Sequence, residues 1–95
     1  MTATEKAALE RIPTFPRGVR LKHYEARQEW VLLAPERLIK CDAIAAAVLA
    51  LCDGQRSLGE IIETLALHYK ADQAVIARDV VALLEGLQEK KMVRM

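Results

Sequence analysis

The chain has 95 residues, of which 53% are hydrophobic and 28% are charged. A chain of this length forms one domain with a modest core, and it buries roughly 60–70% of its unfolded surface. Fourteen basic residues against thirteen acidic ones give a formal net charge of +1, so the totals do not indicate a protein built to attract nucleic acid or an anionic membrane.

Two further classes are excluded by pattern. The longest apolar run, 43–51, is far shorter than the ~20 residues that span a bilayer, and the N-terminus lacks the basic start and long apolar centre of a signal peptide. We therefore expect a cytoplasmic protein. Cys41 and Cys52 are neither close in sequence nor accompanied by histidines at ligand spacing, which predicts buried free thiols and no metal site.

The first sixteen residues are predicted to form a flexible arm. Residues 1–11 have helical propensity but are too few to hold a helix alone in water. Pro13 and Pro16 then prevent a helix from continuing, because each removes an amide donor and disfavours helical geometry in the preceding residue. The domain itself is predicted to occupy residues 17–95.

Three strands are predicted after the Arg17-Gly18 turn. In the first, apolar or aromatic positions alternate with polar ones, which is typical of a strand with one buried face. Residues 30–33 are apolar on both faces, as in a central strand that is covered on two sides. Pro35 ends this strand, and the mixed polarity of residues 37–41 is typical of an edge strand.

The first predicted helix follows Asp42, which is a plausible N-cap. Ile44, Val48 and Leu51 fall on one face of this helix, and most of its other positions are alanine. Asp53-Gly54 is predicted to stop it, because glycine can adopt the left-handed conformation that satisfies the last carbonyl groups.

Two more helices are predicted from their capping residues. Ser57 and Glu60 have the spacing of a capping box, which opens the second helix. Asp72 can cap the third and longest helix, whose inward stripe consists of Ile76, Val80, Leu83, Leu84 and Leu87. Strands followed by helices indicate an α+β fold, and a three-stranded antiparallel sheet with three helices is the winged helix-turn-helix layout.

Catalysis is not indicated by any motif. The chain has no nucleophile and base constellation, no glycine-rich phosphate loop and no metal-binding box. The prominent carboxylates Asp42, Glu60 and Asp72 already cap helices. We therefore predict that the protein is not an enzyme and needs no cofactor.

The winged helix-turn-helix layout suggests a DNA-binding regulator as one function. A helix that enters the major groove needs side chains that read base edges, with further cations to neutralise phosphate. The second and third predicted helices instead carry several carboxylates, among them Glu63, Asp79 and Glu85, which would repel the DNA backbone. DNA binding is therefore kept as the alternative.

A peptide-binding surface is the other function that the pattern allows. An edge strand at residues 37–41 would present unpaired backbone groups, to which a peptide could add as a further strand. On the third helix, Val75, Asp79, Ala82 and Gly86 are three or four residues apart and lie beside the core stripe, where small side chains could leave a groove. The opposite interpretation is that Val75 and Ala82 belong to the core.

Two short motifs are distinctive: the Leu-Leu-Ala-Pro-Glu-Arg run at 32–37 and the Cys-Asp-Gly turn at 52–54. Through these motifs, and from about Ile12 to Val93, the chain resembles the PqqD family of pyrroloquinoline quinone (PQQ) biosynthesis. The family's motif residues are all present: Pro35, Glu36, Asp53, Gly54 and Asp79.

The resemblance implies a peptide chaperone, also called a RiPP recognition element. Members hold the precursor peptide PqqA in a cleft between the third strand and the third helix and present it to the radical S-adenosylmethionine enzyme PqqE. By position, it implies peptide contacts at Arg37, Leu38, Ile39 and Lys40 on the strand and at Val75, Arg78, Asp79 and Ala82 on the helix. Residues 12–15 are a candidate contact for the enzyme, and a homodimer is compatible with the sequence.

Overall fold

The computed structural model describes residues 9–95, and the predicted order of three strands followed by three helices is confirmed. The strands are β1 (Arg20–Tyr24), β2 (Glu29–Ala34) and β3 (Arg37–Cys41). The helices are α1 (Ala43–Ala50), α2 (Leu58–Tyr69) and α3 (Gln73–Glu89). Among the described residues, no helix is long and apolar enough to cross a membrane.

The three strands form one antiparallel sheet in the order β1-β2-β3, so β2 is central and β3 lies at an edge. A single 3-10 turn, Glu25–Arg27, joins β1 to β2. The turn from β2 to β3 is tight, and its Glu36 has a left-handed φ of 61°. The register pairs Leu32 with both Leu21 and Ile39. These three side chains therefore share one face of the sheet.

The helices cover that face. Leu32 is fully buried and belongs to one core cluster with Leu49 of α1, Ile61 of α2 and Leu84 of α3. Ile39 and Leu21 are half-buried against the same cluster. Because side chains alternate along a strand, Val31 and Leu33 point to the opposite face.

Helix α1 begins as predicted, since the Asp42 carboxylate accepts a hydrogen bond from the Ala45 amide at 2.7 Å. Its end differs from the prediction. The helix stops at Ala50 with Leu51 as its C-cap in a right-handed conformation, so Gly54 does not close it. Gly54 instead takes its φ of +78° in the following turn. The face predicted to carry Ile44, Val48 and Leu51 is only partly buried, because Ile44 is 60% exposed whereas Val48 is 1% exposed.

The caps of the other two helices are confirmed. Ser57 and Glu60 form both hydrogen bonds of a capping box, each 3.2 Å long. Asp72 accepts from the Ala74 amide at 2.7 Å. These local hydrogen bonds satisfy amides that have no partner within the helix.

The two ends of the described chain meet. The backbones of Thr14 and Arg94 exchange two hydrogen bonds of 2.8 Å, and the Leu58 amide donates to the Arg11 carbonyl at 2.7 Å. Pro13 is fully buried, and Met92 and Val93 complete the core. The predicted boundary between a flexible arm and the domain, at residue 16, stays a prediction. The first eight residues of the predicted arm lie outside the described part of the chain.

Candidate peptide-binding site

The outward edge of β3 is open. Its only ladder runs to β2, and among residues 9–95 no backbone hydrogen bond from outside the sheet reaches Arg37–Cys41. An edge of this kind presents a row of amide and carbonyl groups to which another extended chain can pair. The same is true of the outward edge of β1, so backbone availability alone does not choose between them.

Alternation divides the predicted strand residues into two pairs. Ile39 pairs across the sheet with the buried Leu32, so it faces the helices, and Arg37 is placed on the same face by the period of two. Leu38 and Lys40 lie on the opposite face, where Leu38 is 53% exposed. The structure therefore brings only part of the predicted strand set to the helix side of the sheet.

On α3, all four predicted residues lie at the surface. Val75 is 44% exposed, and Arg78, Asp79 and Ala82 are exposed as well. The Arg78 Nε atom lies 3.9 Å from Asp79 Oδ1, which is a loose contact between solvated groups. The buried residues of α3 are Val80, Leu84 and Leu87. The alternative interpretation, in which Val75 and Ala82 belong to the core, is therefore wrong.

A cavity of about 200 Å³ lies where the three helices meet. Its lining is apolar apart from one carboxylate, and it consists of Ile44, Val48, Leu65, Tyr69, Ile76, Asp79 and Val80. Its accessible part is formed by Ile44 and Tyr69, at 60% and 43% exposure, and by Asp79, whose side chain is 63% exposed. Ile44 follows the end of β3 by only three residues, and α1 is in contact with β3. No residue of β3 lines the cavity itself.

Three residues of this cavity were missed by the sequence reasoning as site residues. Ile76 was placed in the inward stripe of the third helix, Ile44 was placed only on an apolar helix face, and Tyr69 was not considered as a site residue. Helical spacing shows that Ile44 shares a face with Val48, but it does not show how far the neighbouring helices extend over that face. The usable signal was Ile44 itself, a large apolar residue in the first turn of a helix that begins beside an edge strand.

The motif residues around Asp53 serve the fold. The Asp53 carboxylate accepts hydrogen bonds from the amides of Gln55 and Arg56, both at 3.0 Å, and from Arg56 Nη1 at 2.9 Å. These backbone amides, and then the Arg56 guanidinium, lower the pKa of Asp53. The group orders the turn between α1 and α2.

Neither cysteine is an activated thiol. Burial raises the pKa of Cys52 to about 12, and the Asp53 carboxylate adds to the increase. Burial also raises the pKa of the half-buried Cys41, whose Sγ donates to the Ile39 carbonyl at 3.6 Å. Within the described part of the chain, no three His, Cys, Asp or Glu side chains are close enough to hold a metal ion.

Comparison with known proteins gives consistent relatives. A family model described as coenzyme PQQ synthesis protein D (PqqD) matches residues 29–93. A protein of Rhodopseudomonas palustris strain TIE-1, named PqqA binding protein, is 54% identical over 78 residues, which cover 82% of this chain and 76% of the relative. A protein of the same name from Xanthomonas euvesicatoria is 46% identical over 83 residues, or 87% of this chain and 90% of the relative.

Two solved structures share the fold. The solution structure of the PqqD part of Methylobacterium extorquens PqqCD, described as a functional and stand-alone RiPP recognition element, has a TM-score of 0.76 and 43% identity, covering 87% of this chain and 88% of that one. The crystal structure of PqqD from Xanthomonas campestris has a TM-score of 0.60 and 44% identity, covering 86% and 91%. The match of the family model over well over half of the residues, together with relatives of this identity, shows that the chain belongs to the PqqD family.

Proposed function

We propose that this protein is a peptide chaperone of PQQ biosynthesis, which binds the precursor peptide PqqA and presents it to the radical S-adenosylmethionine enzyme PqqE. The observation that carries the proposal is the open edge of β3, which leads within three residues to Ile44 in an apolar cavity between the helices. The name of its relatives, PqqA binding protein, supports the choice of peptide.

Strand addition explains how such a site would work. The backbone of an extended peptide would pair with the outward amide and carbonyl groups of β3, which supplies affinity that does not depend on sequence. The peptide's side chains would alternate between the two faces of the sheet. Those on the helix side would lie beside Ile39, and an apolar one among them would enter the cavity at Ile44, which supplies selectivity.

Charge has a smaller role in this site. Arg78 and Asp79 are 76% and 63% exposed in their side chains, and exposed ion pairs contribute only ~0 to 1 kcal/mol. They would favour one register of the peptide over another more than they would raise affinity. Most of the binding free energy would come from backbone pairing and from the apolar surface that the cavity removes from water.

In this proposal the protein is a carrier and not a catalyst. Its free thiols have raised pKa values, and its capping carboxylates are engaged with backbone amides. We expect purified protein to show no turnover of the peptide on its own and no stoichiometric metal.

Backbone amide shifts during a titration with PqqA test the location of the site. We expect the shifts to concentrate at Arg37–Cys41, at the start of α1 around Ile44, and along residues 75–82. Shifts confined to α2 and the turn before it, or to the outward edge of β1, would show that the peptide binds elsewhere.

A matched pair of variants tests the cavity. Ile44→Asn and Leu67→Asn both replace an exposed aliphatic side chain on a helix, at 60% and 74% exposure, so neither should greatly change the free energy of unfolding. Only Ile44 lines the cavity. Because burying an aliphatic side chain is worth ~1.5–3 kcal/mol, we expect Ile44→Asn to weaken PqqA binding by about tenfold or more and Leu67→Asn to leave it unchanged. Equal affinities for the two variants would rule out the cavity.

A further inference from the structure

The face of the sheet that points away from the helices, here called the outer face, carries a second surface with its own chemistry. By register and alternation, Val31 and Leu33 of the central strand lie at its centre, with Leu38 beside Leu33 on β3. Charged side chains lie around them: Arg20, Lys22, Glu29 and Lys40. The solvent face of an antiparallel sheet is normally polar. An apolar centre on this one is therefore a feature that the fold itself does not require.

The burial of Val31 shows how the apolar centre is kept from water. Val31 is only 2% exposed, although it is not part of the core cluster that the helices cover. The residues directly across from it are Lys22 on one side and Lys40 on the other. Lysine stems can lie over apolar surface while their ammonium groups stay in water, and the Lys40 side chain is 70% exposed. A partner could displace flexible stems of this kind.

A depression of about 360 Å³ opens beside Val31. It is lined by Tyr24, Arg27, Glu29, Val31, Leu38 and Lys40, and Leu38 is 53% exposed on its rim. The depression offers an aliphatic floor within a charged rim. It suits one apolar side chain that enters from a partner.

Charge on the outer face is unbalanced. At strand positions Arg20, Lys22 and Lys40 supply three cations against one carboxylate, Glu29, which lies 3.5 Å from Lys40. The adjoining turn adds one charge of each sign, Arg27 and Glu25. The whole chain has a net charge of only +1, so the positive charge is concentrated here. Complementarity then calls for carboxylates on the partner.

Nucleic acid fits this surface less well than protein does. Single strands bind through bases that stack on aromatic rings, but the floor here is aliphatic. The ring of Tyr24 already faces the Lys22 ammonium, at 5.0 Å from its centre.

We propose that the outer face is a docking surface for an acidic protein partner that inserts an apolar side chain beside Val31. This inference rests on the proposed function for its choice of probe, which is PqqE. The peptide would occupy the β3 edge and the helix side of the sheet, so the carrier would bind peptide and enzyme on different sides.

The size of the outer face sets the expected strength of docking. Strands of five residues and two inter-strand spacings give about 17 Å by about 10 Å, a small part of the ~800 Å² per partner that stable interfaces use. Docking through it should therefore be weak and should fade as salt rises, because exposed charges are screened.

The test is titration of labelled wild-type protein with PqqE at low salt, with PqqA as a separate titration. We expect PqqE to shift or broaden the amides of Lys22 and Val31, which lie outside the β3 segment where the PqqA shifts are expected. The double variant Arg20→Glu with Lys22→Glu should weaken PqqE binding by about tenfold or more and leave PqqA binding unchanged. The matched control, Lys90→Glu with Lys91→Glu, makes the same change in net charge on the far end of α3 and should leave both unchanged.

The outcomes separate the two proposals. PqqE binding that maps to another surface, or that responds equally to both double variants, overturns the docking surface and leaves the proposed function intact. No binding of PqqE to the wild-type protein overturns both. A mixed-sequence oligonucleotide that produces the outer-face shifts more strongly than PqqE overturns the choice of a protein partner.

Discussion

At the scale of single residues, the two cysteines differ in how well they are shielded. A raised pKa leaves less thiolate at neutral pH, and the thiolate is the nucleophile. Cys52, with a pKa of about 12 and 4% exposure, should resist alkylation by iodoacetamide in the folded protein. Cys41 is half-buried at the end of β3, so it should react slowly, and faster as the pH rises toward its pKa.

The same reaction reports peptide binding. A strand added along β3 would cover Cys41, so saturating PqqA should slow its alkylation severalfold while Cys52 remains unreacted. Mass spectrometry of partly alkylated protein measures both sites at once. Unchanged alkylation of Cys41 at saturating peptide would contradict strand addition at β3.

Ala82 provides a test on the helix side of the site. Because its side chain is exposed, we expect Ala82→Trp to change the free energy of unfolding by no more than ~0.5 kcal/mol. The indole would occupy the surface three residues from Asp79, so PqqA affinity should fall severalfold. Gln88→Trp is the control, since it carries the same side chain about 120° around the same helix. A loss of 1–3 kcal/mol in stability with normal peptide binding would instead indicate overpacking.

At the scale of elements, Gly54 and Gly86 should respond to the same substitution in opposite ways. Gly54 has a φ of +78°, and a Cβ there would lie 3.0 Å from Thr14 Oγ1. Gly86 lies inside α3, where a Cβ would meet nothing within 4 Å. We expect Gly54→Ala to destabilise the protein by ~1–3 kcal/mol and Gly86→Ala to stabilise it by about 0.5–1 kcal/mol.

Denaturant unfolding of both variants measures this contrast. If Gly86→Ala stabilised the fold but weakened PqqA binding, the space left free at Gly86 would belong to the peptide-binding groove on α3. If Gly54→Ala were neutral, the contact between its turn and Thr14 would be relaxed in solution.

Element boundaries were predictable where a local hydrogen bond defines them. Ser57 with Glu60 and the single carboxylates of Asp42 and Asp72 cap helices within three residues of themselves, so the sequence contains all that is needed. The end of α1 was not predictable in this way. Val48 and Leu49 accept hydrogen bonds from the amides three residues later, which closes the helix before Gly54 is reached.

The site was less predictable than the fold, for a geometric reason. The period of a strand places Leu38 and Lys40 on one face of the sheet and Arg37 and Ile39 on the other. Only the position of the helices decides which of these two faces borders a cleft. Likewise, the spacing of Ile44 and Val48 gives a shared face, while the reach of α2 and α3 decides that Val48 is buried and Ile44 is not. Both decisions depend on contacts between distant parts of the chain.

At the scale of the whole molecule, charge and apolar surface divide the protein into two sides. The helix side combines an apolar cavity with the carboxylates of α2 and α3, whereas the outer face of the sheet carries the excess of cations. Under the proposed function, this division would offer the peptide and the enzyme surfaces of different chemistry, and β3 would border both.

The way in which the two ends of the chain meet sets the last prediction. The segment before β1 contributes the fully buried Pro13, and its Arg11 and Thr14 carry backbone hydrogen bonds of 2.7 and 2.8 Å to Leu58 and Arg94. A variant that begins at Arg17 loses all of these contacts. At ~0.5–1.5 kcal/mol for each of these three hydrogen bonds, we expect a loss of about 2–4 kcal/mol, to which the exposure of Pro13 adds.

Thr14→Ala is the matched control for this truncation, because it keeps both backbone hydrogen bonds to Arg94 and should cost less than ~1 kcal/mol. Denaturant unfolding of the two variants, with amide shifts of Leu58 and Arg94 as local reporters, measures the difference. A shortened protein as stable as the full chain would support a domain that starts at residue 17. The expected loss of stability would instead show that residues 11–15 are part of the folded domain. Ile12, at 45% exposure, would then be an ordered residue of its surface.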